Sequence, residues 1–273
     1  MNLRRKRNLF LQKLFWNRPG FCILSAYVQL RRRIDYVLLN HSLDSDTNGE
    51  FWLLKNLPAQ PIVLDVGFNA GDFTNHILEA SPNAKVWAFD PAKQAAKAFQ
   101  ENFAKDTRVS FVPAALSDQE GEMEFHDYDN MCSSLAKRPD AGPEARTYKV
   151  RVTTLATWFK ESGLERIDFL KIDAEGYDAN VIAGSIPLLQ QKRVGCIMFE
   201  FANGWVNNRR FLGEVVAMLE STDYTLMQLF NGFLAPVTYS AKNERFDMGR
   251  MFVITPRWGW ANDLPKNISA SID

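Results

Sequence analysis

Residues 62–74, IVLDVGFNAGDFT, constrain the architecture more tightly than any other stretch of the chain. The run opens with five residues of which four are aliphatic, bounded by Pro61 and Gly67, and so is too short for a helix. It suits a strand covered on both faces, as in a parallel sheet between layers of helices. Gly67 and Gly71 then permit backbone angles that other residues resist, and the following DFTNHILEA has the spacing of a helix. Strand, glycine turn and helix in this order open a doubly wound α/β sheet, where ligands bind beyond the carboxyl ends of the strands.

The alternation continues from there. Strands are predicted at 62–66, 85–89, 109–112, 167–172 and 194–201, and helices at 72–80, 92–104, 154–160, 178–184 and 209–220. An insertion over 115–153, with short strands at 122–126 and 147–152, interrupts the rhythm. Residues 224–230 and 249–255 are predicted as a strand pair joined by a loop containing Pro236, which closes a parallel sheet with an antiparallel strand. Upstream, 3–16 suit a basic amphipathic helix and 21–39 a second helix; the polar stretch 40–50 is a linker, and EFWLLKNL a short helix. The expected organisation is an N-terminal helical extension (1–47), one α/β domain (48–256) and a tail (257–273). A chain of 273 residues, 46% of them apolar, can fill the core of such a domain.

Charge is balanced overall but not along the chain. Nine of the 32 basic residues, and no acid, fall within residues 1–33, so the rest carries 23 basic against 32 acidic residues, a net of −9. Contact of this arm with an anionic membrane or glycan is one reading; a solvated extension or a dimer arm is the other. Cys22, Cys132 and Cys196 are sparse and odd in number, which argues for a reducing compartment and against a disulfide framework or zinc site. His41, His76 and His126 form no metal pattern and read as surface or satisfied polar residues. The apolar run 21–30 is too short to span a bilayer, and no cleavage site of a signal peptide is evident, so a cytoplasmic protein is expected. A nucleic-acid partner is not.

The turn itself discriminates between ligands. A dinucleotide turn needs a second glycine so that the backbone can approach the pyrophosphate; here Asn69 stands in that position. Asp65 before the turn and Asp72 after it would repel a pyrophosphate but suit a cofactor with a cationic end, such as the ammonium of S-adenosylmethionine (SAM). Asp72 also reads as a helix N-cap. Asp90 closes the second strand in VWAFDP, where a carboxylate can bind both ribose hydroxyls, as it would for NAD as well. Further on, IDFLKIDAEGYD brings Lys171, Asp173 and Glu175 to the end of a central strand, with Lys171 and Asp173 on one side of it. A lysine in so apolar a strand needs an acid partner. Its role is then either structural or that of orienting a substrate hydroxyl beside the acids. CIMFEF puts Glu200 at the next strand end. Such carboxylates can act as base and orienter or hold a divalent cation, and metal is not expected.

Taken in order, NGEFWLL, VLDVGFNAG, FDP, ALSDQEG, SSL, IDFLKIDAEGYDANVIAG and MFEF resemble the FkbM-type family of SAM-dependent methyltransferases, over about residues 48–255. FLKIDAEG is the most specific block. The resemblance implies the class I SAM-methyltransferase (Rossmann-like) fold with a doubly wound seven-stranded sheet. It also implies SAM as methyl donor and O-methylation of a sugar, glycolipid or natural-product hydroxyl. It assigns Asp65, Gly67, Asn69 and Gly71 to the SAM-binding turn, Asp90 to the ribose and Ala115 to the neighbourhood of the adenine. Lys171, Asp173 and Glu175 match the central block, and Glu50 and Ser134 match motifs facing the site. Asp173 is the first choice as base, Glu175 or Glu200 the alternatives, and Lys171 the orienter. Two rivals remain at this stage. An NAD(P)-dependent oxidoreductase is disfavoured by the missing glycine. A non-catalytic membrane- or glycan-associated scaffold is disfavoured by Asp65, Asp90 and Asp173 all being present.

Overall fold

The computed structural model describes residues 3–15, 18–38, 40, 42, 44–128, 133–138, 145–246 and 249–267. Helices α1 (Leu3–Phe15) and α2 (Arg18–Leu38) precede two short ones, α3 (Ser45–Asn48) and α4 (Glu50–Leu54). Next come β1 (Ile62–Val66), α5 (Asp72–Ala80), β2 (Lys85–Phe89), α6 (Lys93–Asn102) and β3 (Val109–Val112). The insertion supplies β4 (Ala115–Ser117), β5 (Gly121–Asp127) and β6 (Arg146–Thr154). The alternation resumes with α7 (Leu155–Ser162), β7 (Phe169–Ile172), α8 (Asp178–Gln190), β8 (Ile197–Phe201), α9 (Gly204–Asn207) and α10 (Leu212–Leu219). It ends in β9 (Tyr224–Phe230), β10 (Phe233–Pro236) and β11 (Arg250–Pro256).

The main sheet runs β10-β9-β11-β8-β7-β1-β2-β3. From β3 to β8 every pairing is parallel, and β11 is inserted antiparallel between β8 and β9. This is the doubly wound class I methyltransferase sheet with one addition. Pro236 does not sit in a loop but ends β10, an eighth strand at the edge, paired antiparallel with β9. The hairpin turns at Asn231-Gly232, with Gly232 at φ 99°, and an Asn-Gly pair favours a two-residue turn of this kind. The insertion forms its own three-stranded sheet, β4-β6-β5, over the carboxyl ends of the main strands' side of the molecule.

Alternation along each strand divides the core in two. On β1, Leu64 and Val66 pack with α7, α8 and α10, through residues such as Trp158, Ile182 and Val215. Val63, on the opposite face, joins Leu53 and Leu54 of α4, Ile77 of α5 and Phe169 of β7. Asp65 shares that second face and is fully buried. Residues 257–267 pack against the domain: Leu234 N–H donates to Pro265 O (2.9 Å), Asn267 N–H donates to Leu234 O (2.9 Å), and Ala261 is buried.

The upstream segments differ from this body. Asn40 Nδ2 donates to the carbonyls of Asn48 (2.7 Å) and Leu229 (2.9 Å), which ties the linker to the sheet. Before it, α2 is joined to the domain through Asp35, 3.4 Å from Arg245, while most of its side chains are exposed. Among the described residues no helix is long and apolar enough to cross a membrane. Cys22 is exposed and Cys196 buried, both as free thiols; Cys132 and His41 lie outside the described residues.

Candidate active site

The turn after β1 is shaped by what it must pass. Gly67 adopts φ 83°, and a Cβ there would lie 1.9 Å from the Asp173 carbonyl oxygen, so no side chain fits. Asn69 takes the left-handed region at φ 50°, which asparagine tolerates better than most residues. Gly71 caps α5, and Asp72 is that helix's first residue rather than its cap.

Register explains the charge pairing behind the turn. Asp65 lies directly opposite Lys171 across the parallel β1–β7 pair. Lys171 Nζ is 3.3 Å from Asp65 Oδ1 and 3.4 Å from Asp173 Oδ2, and it donates to the Gly67 carbonyl at 3.2 Å. Asp65 Oδ2 accepts from Thr74 Oγ1 on α5 at 2.7 Å. Burial works against the lysine's charge, but Asp65, Asp173 and Glu50 outweigh it and hold its pKa above the ordinary value. One ammonium thus ties the strand, the turn and the acid at the strand's exit together.

Beyond the strand ends the acids crowd. Burial, and then Asp173, push the Glu175 carboxyl up to about 8, against the pull of Arg138. Burial and the charges of Asp173, Glu175, Asp178 and Glu50 raise Glu200 to about 8 as well. Asp178 rises to about 7, chiefly by burial, although it accepts from the N–H groups of Ala174 (3.2 Å) and Gly176 (3.1 Å). Asp90 rises to about 6 by burial, with Ala92 N–H (2.8 Å) and Asn69 N–H (2.9 Å) donating one to each of its oxygens. Acids arranged so that their proton affinities lie near neutrality are a common mark of catalytic sites.

Two cavities share this region. The larger, about 650 Å³, runs over the glycine turn between Glu50, Phe68, Asn69, Asp90 and Phe125. The smaller, about 280 Å³, lies between Asp178, Asn203, Trp205 and Phe246. Asp173, Glu175, Glu200 and Gly249 line both, and so mark where they meet. Of the residues singled out at the turn and strand ends, Gly67, Asn69, Asp72, Asp90, Lys171, Asp173, Glu175 and Glu200 reach the larger cavity, as does Glu50. Asp65, Gly71, Ala115 and Ser134 do not line it; Ser134 Oγ donates to the carbonyl of Ala174, between Asp173 and Glu175, at 3.1 Å. Among the described residues no group of three or more His, Cys, Asp or Glu is arranged to hold a metal ion.

Sequence reasoning missed three participants. Arg138, buried in the insertion, forms an ion pair with Glu175 and reaches Asn203 Oδ1 at 3.4 Å. Asp178 fixes the loop that carries Glu175. His76, read from the sequence as a surface or satisfied polar residue, lines the larger cavity with its ring edge-on to Phe51 at 4.5 Å. Only Asp178 had a local signal, as the last acid of IDAEGYD just ahead of a helix.

With this geometry in place, the relationship to known proteins is decided by a family model, the methyltransferase FkbM domain, which matches residues 65–226. The chain belongs to the FkbM methyltransferase family. Within 149 aligned residues it is 30% identical to the 2-O-methyltransferase NoeI of Sinorhizobium fredii, covering 49% of this chain and 60% of that one. It is 27% identical over 198 residues to the 31-O-demethyl-FK506 methyltransferase FkbM of Streptomyces tacrolimicus, covering 61% of this chain and 73% of the relative. A solved structure of methyltransferase FkbM from Methylobacillus flagellatus superposes with a TM-score of 0.46 at 10% identity, over 71% of this chain and 44% of that one. The chain therefore spans less than two thirds of NoeI's length.

Proposed function

We propose that this FkbM-family protein is a SAM-dependent O-methyltransferase acting on a hydroxyl of a sugar, glycolipid or natural product. The observation that carries the reading is the meeting of two cavities at Asp173, Glu175 and Glu200, beyond the carboxyl ends of the central strands. One cavity suits a nucleoside cofactor and the other an acceptor. SAM fits the donor set of the larger cavity. Asp90 lines it with a carboxylate suited to ribose hydroxyls, Asn69 excludes the close backbone approach that a pyrophosphate needs, and Glu50, Asp72 and Asp173 favour a cationic ligand. Bound there, SAM would supply an electrophilic methyl group.

The chain's own contribution is alignment and proton removal. The acceptor hydroxyl would enter through the smaller cavity and meet the carboxylates at the junction. Glu175 is engaged by Arg138, and Asp173 by Lys171, which suits both to orientation. Glu200, whose proton affinity lies near neutrality, is the better-matched proton acceptor, although the sequence alone favours Asp173 for that role. Trp205 and Phe246 on the far wall limit water around the reacting hydroxyl.

Calorimetry and single-turnover kinetics test this. S-adenosylhomocysteine should bind and NADH should not, and Asp90→Ala should weaken that binding by about 1.5–3 kcal/mol as charge-assisted hydrogen bonds are lost. Glu200→Gln should slow methyl transfer by about 10²–10⁴-fold while leaving S-adenosylhomocysteine affinity nearly unchanged. If Asp173→Asn shows that kinetic loss and Glu200→Gln does not, the proton belongs to Asp173. Binding of NADH without S-adenosylhomocysteine would sink the cofactor assignment.

A further inference from the structure

α2 carries an apolar stripe that the described residues of the chain leave largely uncovered. Ile23, Tyr27, Leu30, Ile34 and Val37 follow one another at intervals of four, three, four and three residues, which brings them to one side of the helix. They are between 49% and 75% exposed. In domain helices such as α5 the corresponding apolar positions are buried against the sheet. Asp35, the only acid in α2, is drawn towards the domain by Arg245 and leaves the stripe outward of that contact.

The charges beside the stripe decide what it fits. At about 100° per residue, Arg31 and Arg33 fall about 40° beyond its two edges, one on each side. Both are exposed, and neither α1 nor the first 17 residues of α2 contain an acid. A second copy of α2 packed on the stripe would bring the cluster Arg31–Arg33 against an identical cluster, with Asp35, shared between Arg31 (3.9 Å) and Arg245 (3.4 Å), as the one acid of the helix to compensate. A lipid surface reverses the sign of that interaction. Apolar side chains can enter the interfacial region while arginines at the edges extend to anionic phosphates, the arrangement of helices that lie in the plane of a membrane. α1 adds Arg7 and Lys13, with an exposed Phe10.

We propose that α1 and α2 form a peripheral membrane-binding element, with the Ile23–Val37 stripe lying in the interface of an anionic phospholipid bilayer. The attachment is reversible and needs both the apolar stripe and its flanking arginines. It is independent of the methyl-transfer reading, since no residue of α1 or α2 lines either cavity.

The test is co-sedimentation of the full chain with phosphatidylglycerol–phosphatidylcholine vesicles, against vesicles of phosphatidylcholine alone. The wild type should bind the anionic vesicles, be released as salt rises, and bind the neutral vesicles far less. Arg31→Gln with Arg33→Gln should weaken partitioning about 30-fold. Leu30→Ser with Ile34→Ser should weaken it at least tenfold while the charge stays the same. S-adenosylhomocysteine binding and the thermal transition of each variant show that the domain remains folded. Absence of anionic-vesicle binding by the wild type overturns the proposal. So does vesicle binding that survives loss of the apolar side chains, which would indicate a purely ionic contact of the kind a glycan makes. A stable dimer in sedimentation equilibrium that Ile34→Ser dissolves, without vesicle binding, would assign the stripe to a second copy instead.

Discussion

β1 and α2 are both rich in aliphatic residues, yet they end in opposite environments. Leu64 of β1 has no solvent exposure, whereas Leu30 of α2 is 57% exposed. Even the acids contrast. Asp65 is fully buried and answered by Lys171 and Thr74, while Asp35 stays at the surface and pairs with Arg245. In β1 the chain satisfies its own apolar and charged groups, so a change there is felt as stability. In α2 the apolar surface is left open, so a change there is felt only when something else covers it.

The sharpest way to break the first half of this contrast is Lys171→Met. It leaves Asp65 buried without its cation, and removing one partner of a buried pair costs about 3–5 kcal/mol. Denaturant titration should show that loss; a loss below about 1 kcal/mol would mean that Asp65 does not depend on Lys171. The same variant also separates structure from chemistry, because refolded protein held below its melting point should still bind S-adenosylhomocysteine, only more weakly.

A second prediction concerns the crowded acids. Glu175 and Glu200, at about 8 in the folded chain, lie above the ordinary glutamate value, so the folded state holds protons that the unfolded state releases. Their contribution to stability is complete below about pH 4.5 and is lost as pH rises through 8. Glu200→Gln removes one such group. Since tenfold in proton affinity is worth about 1.4 kcal/mol, the variant should gain at least that much stability at pH 9 and little at pH 5. Parallel pH–stability curves for wild type and variant would contradict the assignment. Methyl transfer by the wild type should rise as pH approaches 8, where Glu200 becomes ionised.

The smallest effect belongs to α2. Leu30→Ala should change unfolding free energy by less than about 0.5 kcal/mol, as surface substitutions do. Leu64→Ala should cost about 2–5 kcal/mol by leaving a cavity in the core. Comparable losses for the two variants would show that α2 is packed in solution and would end the comparison.

Much of this was legible because the deciding signals are local. The alternation of strand and helix from 62 to 219 depends on residues within a few positions of one another, and most of its elements match the expected ones to within about three residues; α8 runs six residues beyond its expected end, and the short β4 and α9 were not expected. Asp90, Lys171, Asp173, Glu175 and Glu200 could be found together because each ends or follows a predicted parallel strand. The Asn231-Gly232 hairpin was also written locally, and β10 went unread because Pro236 drew attention to itself as a breaker. Arg138 had no such signal. It lies 37 residues from Glu175 and reaches it only because the insertion folds back across the strand ends. His76 is similar: a helix surface gives no sequence mark of whether it meets solvent or a cavity. The burial of Asp65 depended on register, which places it opposite Lys171 and could not be read from either strand alone.

Gly176 and Gly204 carry a consequence for how this scaffold can diversify. A Cβ on Gly176 would lie 2.3 Å from the Gly204 backbone, so the loops after β7 and β8 touch with no side chain between them. The spacing of Glu175 and Glu200 is therefore inherited as a fixed dimension and cannot be widened gradually by substitution at either glycine. Ala202 and Phe246, on the remaining wall of the smaller cavity, carry side chains that can be exchanged without parting those loops. Selection for a new acceptor would have its easiest path there, altering what the cavity admits while the carboxylates stay in place.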